Sequence, residues 1–452
     1  MSPRKLILLT AVVFGLFAFI LFFERKMPST SERQTKGDLH WDLPEERLVS
    51  IRLERAGSTV ELTRDGESWR LTQPARYPAD SFAASDLARQ LGQLKRVGGD
   101  SSEARPEDYG LTTPTAKATI VWTDPDDPKK KSSRTIEFGI DIPGTDVAAA
   151  RVGGSSRVLF VPSSVAAAVK KGAGDFQSKD VFGGAAAEVA RLDLERGRGH
   201  LVLSQREGIW WLEQPLRDLA DSEAASRLAG DLTALRVIEF LSSDKDSLTT
   251  WSLSPPLFRV MLSDSKGKTT AVEFGATRSD GNSVYARREG QAFTVGSSIV
   301  EELSKETVAF REPHLVKFDR ARASGLEATF GHERFSFARG KDGGWSSDGK
   351  AILAGSVEDV MSAVLDLKSR AFSDETEARG LSALSPAASL KIALSEGEPW
   401  EIRIYAAPGE PAATVSRRPG GFRLASDPSA SLLAAFQKAS GGLVPTAVPS
   451  KK

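Results

Sequence analysis

WWLEQP, residues 210–215, has a counterpart in WRLTQP, residues 69–74, which stands 141 positions earlier. Outward from this pair at the same offset, IRLER (51–55) falls on LDLER (192–196), and Val60 and Leu62 fall on Leu201 and Leu203. Downstream, Leu87, Leu91, Leu94 and Val97 meet Leu228, Leu232, Leu235 and Ile238. Apolar residues three and four apart share one face of a helix. Asp80 or Ser81, like Asp221 or Ser222, stands where an N-cap oxygen is needed in front of it. Equal spacings and a shared helix face mark a duplicated unit.

The offset shortens farther on as loops change length. TIEFG (135–139) matches AVEFG (271–275), VPSSV (161–165) matches VGSSI (295–299), and Phe176 matches Phe310. A third, more divergent copy starts near Lys317, with Trp345 in the tryptophan position and SVEDVMSAVLDLKSRAF as its helix. There Ser356 and Asp359 form a capping-box-like pair before Val360, Val364 and Leu367. SLKIAL, WEIRIY and AATVSRR are its later strands. Short alternating strands around one amphipathic helix per unit define an α+β fold with mainly antiparallel pairing. The expected division is 45–183 for the first repeat domain, 184–316 for the second, 317–440 for the divergent third, and 441–452 for a flexible tail.

The N-terminus differs in kind. LILLTAVVFGLFAFILFF, residues 6–23, is an uncharged apolar run flanked by Arg4 and Lys5 before it and by Glu24, Arg25 and Lys26 after it. At about 1.5 Å per helical residue it reaches across a hydrocarbon core of roughly 30 Å. It ends in two phenylalanines and charge instead of a small-residue cleavage site, which favours an uncleaved transmembrane anchor within residues 1–26. Residues 27–44 read as a polar linker. Only a short end precedes the run, so the expected location is the bacterial inner membrane, crossed once through residues 6–23, with the folded bulk outside the cytoplasm.

Composition narrows function by exclusion. Lys+Arg and Asp+Glu are both 60, which leaves no net field for nucleic acid, and no nucleic-acid-binding motif is present. There is no cysteine, hence no disulfide, no thiolate nucleophile and no Cys-ligated zinc.

FFERKMP at the end of the apolar run, IRLER with WRLTQP and PAD, YGLTTP (109–114), VAAARVGG and VLFVPSS stand in one order along the chain. Through them the chain resembles the bacterial domain-of-unknown-function family 4340. The order then repeats, with WSLSPP (251–256) in place of YGLTTP. The resemblance covers residues 1 to about 316 well and the third repeat loosely. What it implies is a single-pass envelope protein accompanying a gliding-motility-type ABC transporter permease and its auxiliary extracytoplasmic subunit. It supplies no catalytic residues.

GWSSDGKA (344–351) departs from a phosphate loop by ending in alanine where a Ser or Thr must hold magnesium, and reads as a hairpin turn. His40, His200, His314 and His332 show no metal-binding spacing, so neither a metal nor a cofactor is expected. The serine pairs Ser163/Ser164 and Ser297/Ser298 precede apolar helical stretches and read as caps. The repeated acids Glu54/Glu195 and Glu137/Glu273 are the best candidates for a hydrolase pair, yet they sit on outward strand positions. DPDDPKKKSSR (124–134) reads as a solvated loop. Trp69 and Trp210 read as core. Three residues remain as interaction candidates: Arg151 and Arg287, because arginine grips anions in a forked geometry, and Trp211, which replaces Arg70 on the opposite side of the strand from Trp210. The leading expectation is a non-enzymatic interaction protein, with an envelope glycan- or lipid-binding protein as the alternative and a hydrolase behind both.

Overall fold

The computed structural model describes residues 41–97, 104–127, 129–183, 188–242, 244–406 and 410–441. The apolar run of residues 6–23, most of the linker and the tail beyond Gly441 lie outside them. Among the described residues no helix is long and apolar enough to cross a membrane.

The first sheet opens as a meander of β1 (Leu48–Arg55), β2 (Ser58–Asp65), β3 (Ser68–Gln73) and the two-residue β4 (Tyr77–Pro78). Helix α1 (Ser81–Gly92) follows, and β5 (Ala116–Thr123) then pairs antiparallel with β1. A second meander runs through β6 (Lys131–Asp141), β7 (Val147–Val152) and β8 (Leu159–Pro162) into α2 (Ser163–Val169). The strand order is β4-β3-β2-β1-β5-β6-β7-β8.

The second sheet contains β9 (Val189–Arg196), β10 (Gly199–Arg206), β11 (Ile209–Gln214) and β12 (Asp218–Leu219), followed by α3 (Ser222–Ala234), β13 (Glu239–Leu241) and α4 (Lys245–Thr250). It continues as β14 (Phe258–Asp264), β15 (Thr269–Thr277), β16 (Ser283–Arg288), β17 (Gln291–Gly296) and α5 (Ser298–Ser304). The third contains β18 (Ala323–Phe330), β19 (Glu333–Arg339), β20 (Trp345–Ser347), β21 (Lys350–Ile352), α6 (Ala354–Leu365), β22 (Ser369–Ser373) and α7 (Glu375–Ser382). It ends with β23 (Ala388–Leu394), β24 (Trp400–Tyr405), β25 (Ala412–Val415), β26 (Gly421–Leu424) and α8 (Ser429–Gly441). Their orders, β12-β11-β10-β9-β14-β15-β16-β17-β13 and β21-β20-β19-β18-β23-β24-β25-β26-β22, repeat the first and add one edge strand drawn from behind the helix. The α+β architecture with antiparallel pairing is therefore present three times.

One face of the first sheet carries the core. Ile51, Leu53, Val60, Leu62, Trp69 and Leu71 alternate along three strands and pack against Ala84, Leu87, Ala88 and Leu91 of α1 and Val165, Ala166 and Val169 of α2. Asp80 caps α1 by accepting from the Ala83 amide at 2.8 Å, and Asp221 caps α3 by accepting from Glu223 and Ala224 at 2.9 and 3.0 Å. WRLTQP and WWLEQP also end alike, each with a cis Gln–Pro bond. The closing arginine of each IRLER-type strand reaches the end of the last helix of its unit. Arg55 Nη1 donates to the Lys170 carbonyl, and Arg196 Nη1 to those of Leu303 and Lys305. A cation at these unpaired carbonyls complements the negative helix end.

Gly139 and Gly275 show how closely the repeats copy one another. A Cβ on Gly139 would lie 2.0 Å from the Tyr109 carbonyl oxygen, and one on Gly275 2.0 Å from that of Trp251. Backbone must shift to admit either methyl. Gly275→Ala is expected to lower stability by about 1–3 kcal/mol or more, read as a reduced midpoint in urea, and Gly139→Ala to match it.

Three local expectations are corrected. Neither serine pair caps its helix: α2 follows directly from Pro162 without a side-chain cap, and Ser297 Oγ donates to the Gly281 carbonyl at 2.8 Å. Helix α6 begins at Ala354 behind Leu353, so Ser356 lies within the first turn and caps nothing. The charged loop is shorter than DPDDPKKKSSR, because Lys131 already begins β6. GWSSDGKA does form a hairpin, β20 to β21, turning at Asp348 and Gly349 with φ of 47° and 75°. Two successive positive φ values are what a tight hairpin turn requires.

The chain forms two compact units, one of residues up to 179 with 289–291 and one of the remainder, and the second holds both later sheets apart from the first residue of β17. Within it a buried charge cluster joins segments far apart in sequence. Asp218 and Arg418 have fully buried side chains, and that of Arg311 is 7% exposed. Arg418 donates to Asp218 Oδ1 and Oδ2 at 2.7 and 3.1 Å, while Arg311 Nε donates to Oδ2 at 2.9 Å. The remaining guanidinium protons find the carbonyls of Glu312, His314, Leu315 and Pro419. Phe372 lies 4.0 Å from Arg311 and Phe422 4.6 Å from Arg418, each ring facing a cation. Burial pulls the Arg311 guanidinium below its usual range, opposed by the Asp218 carboxylate. At the corresponding places in the first repeat stand Tyr77 and Gln177, so this cluster belongs to the second and third repeats alone.

Candidate functional site

Residues that alternate with the core positions face the other side of each sheet, where the candidate side chains lie. Arg151 on β7 stands opposite Glu137 on β6, and their Nε and Oε2 atoms are 2.5 Å apart. Lys117 closes on the other carboxylate oxygen at 3.0 Å. The second repeat reproduces the pair: Arg287 on β16 opposes Glu273 on β15 at 2.6 Å and also donates to the Leu253 carbonyl at 3.1 Å. The two arginines and two of the repeated acids are thus each other's partners.

This pairing bears on catalysis. Burial raises the Glu137 pKa, but hydrogen bonds from Lys117 and Arg151 outweigh it and hold the carboxyl below its usual range. A general acid needs the opposite shift. Because the folded value is depressed, the stabilisation is present above the unfolded pKa and is lost as pH falls through the folded one. Arg287→Met is expected to lower stability by about 1 kcal/mol, and Arg151→Met by less, because Lys117 stays with Glu137. Chemical denaturation of the two variants measures the difference.

Trp211 lies half-buried and packs against the hydrophobic core of the third repeat, together with the buried Leu219 opposite it on β12. This interaction candidate thus has part of its ring covered by the next repeat of its own chain. Trp69 and Trp210 are each 2% exposed, and their indole nitrogens donate to Glu45 Oε1 at 3.2 Å and Ser226 Oγ at 3.1 Å. Both are core residues.

The histidines diverge from the expectation of isolation. His40 lies outside the described residues, and His332 is exposed in the turn between β18 and β19. His314 Nδ1 meets Glu312 Oε1 at 2.6 Å, and Lys317 approaches the other oxygen at 3.7 Å. His200 on β10 stands opposite Glu195 on β9, and its Nε2 is 2.6 Å from Asp193 Oδ1. One ligand atom from each of Asp193, Glu195 and His200 lies within 4.8 Å of the others. Arg191 approaches Asp193 Oδ2 at 3.5 Å. Spacing rules for helical and loop ligands miss this group. The signal is instead the RGRG turn at residues 196–199, which sets the register that places His200 across from Glu195.

Fold and surface together define a tandem array of antiparallel α+β units. The sequence model of a family described as Domain of unknown function (DUF4340) matches twice, over residues 69–252 and 210–383, each match opening on a repeat tryptophan. These matches cover more than half of the chain, which therefore belongs to that family. No curated protein matches it. Among solved structures, similarity is found to a DNA polymerase sliding clamp from Caulobacter crescentus, with 9% identity, 83% of this chain and 90% of that one covered, and a TM-score of 0.16. A sliding clamp from Pseudomonas aeruginosa follows, with 9% identity, coverage of 87% and 96%, and a TM-score of 0.15. Likeness at this level carries no argument about fold or function.

Proposed function

We propose that this protein is a non-enzymatic, membrane-tethered interaction protein whose repeats sit outside the cytoplasm and position partners of an ABC-type transport complex. The observation that carries the reading is the Asp218–Arg311–Arg418 cluster. It makes one compact body of two repeats, as a protein that works by holding others in place requires. The apolar run at residues 6–23 supplies the tether, which raises local concentration beside membrane partners. Engagement of Glu137 and Glu273 by arginine supports binding over turnover. Family resemblance supports the transporter as partner.

Crosslinking in native membranes followed by affinity purification tests this. Recovery of an ABC-type permease or its auxiliary extracytoplasmic subunit is the expected result. Their repeated absence from the crosslinked material would sink the transporter assignment.

A further inference from the structure

We propose that Asp193, Glu195 and His200 form a binding site for one first-row divalent metal ion, with Zn²⁺ the best match to the ligand set. Two carboxylate oxygens and one imidazole nitrogen are ligands that zinc accepts, whereas calcium and magnesium favour oxygen alone. The three ligand atoms lie within 4.8 Å of one another. Ligands on one zinc sit about 2.0–2.2 Å from the ion, so small side-chain rotations close the set.

The scaffold holds the ligands in place. Asp193 and Glu195 are two apart on β9 and therefore share a face, and the β9–β10 register places His200 directly across from Glu195. Asp193 is 8% exposed, and Arg191 on its Oδ2 leaves Oδ1 turned toward the imidazole. Such an outer partner orients a ligating carboxylate. His200 and Glu195 are accessible from solvent, so the remaining coordination positions are open to water or an anion.

The fold itself does not call for this trio. Corresponding positions hold Arg52, Glu54 and Thr59 in the first repeat and Glu327, Thr329 and Arg334 in the third. Neither set joins an imidazole to two carboxylates. One ion per chain follows, held by the second repeat.

The test uses the full chain purified in detergent, stripped with chelator and titrated with ZnCl₂ by calorimetry, with native mass spectrometry for stoichiometry. Saturable binding of one Zn²⁺ per chain is expected, lost in His200→Ala and weakened about tenfold or more in Glu195→Gln. His332→Ala is expected to bind as the parent does. Glu195 is exposed, so Glu195→Gln is expected to keep the metal-free melting temperature and decides the matter even where His200→Ala fails to fold. No saturable binding, or binding indifferent to Glu195→Gln and His200→Ala, overturns the proposal. So does CaCl₂ binding as tightly as ZnCl₂.

Discussion

Asp218→Ala is expected to destabilise the second compact unit by about 3–5 kcal/mol, because it leaves two buried guanidinium groups without their shared counter-charge. Arg311 and Arg418 would retain their carbonyl partners and facing rings, but nothing would offset the cost of keeping two like charges out of water. Denaturant melts followed by circular dichroism would show the loss, with the first unit's transition as internal reference. Replacing the cluster with three apolar residues of matched volume is expected to cost far less, since a buried ion group contributes little net stability once its members are removed together. A single substitution that costs under about 1 kcal/mol would mean that water reaches Asp218, contrary to its full burial.

Trp210→Ala is the second large effect, at about 3–5 kcal/mol. The substitution opens a cavity on the core face of β11 and leaves the Ser226 hydroxyl without the indole donor. Trp69→Ala is expected to cost as much, with Glu45 losing the corresponding bond. Trp211→Ala should cost less than either, because that ring is only half-buried, and its loss should loosen the packing of Leu219 against the third repeat's core. If Trp211→Ala proves the most damaging of the three, the core assignment of Trp210 and Trp69 is wrong.

How far the sequence reveals these features depends on how local each one is. Helices α1 and α3 were legible because Leu87, Leu91, Leu228 and Leu232 follow the helical period and Asp80 and Asp221 precede it. The strands around Trp69 and Trp210 were legible because apolar and polar residues alternate. Serine caps at residues 163–164 and 297–298 were not, since β8 passes into α2 through Pro162 and the Ser297 hydroxyl turns to Gly281 instead. The packing of Trp211 is not legible in the sequence, because the surface that covers it comes from the third repeat, beyond any local period. His200 looked isolated for a nearer reason: a hairpin register, not a spacing rule, brings it to Asp193 and Glu195. The Arg311 and Arg418 partners of Asp218 were invisible, lying 93 and 200 residues away.

That last separation has a bearing on how the chain is made. At about 5–20 residues per second, the ribosome delivers Arg418 on the order of 10–40 s after Asp218. Until then the carboxylate has only Arg311, and the apolar edge formed by Trp211 and Leu219 has no third core to cover it. Ribosome-arrested chains ending before and after residue 418 should therefore differ in protease resistance across residues 188–316, with resistance rising only in the longer ones. A nascent second repeat waits, half-closed, for the third.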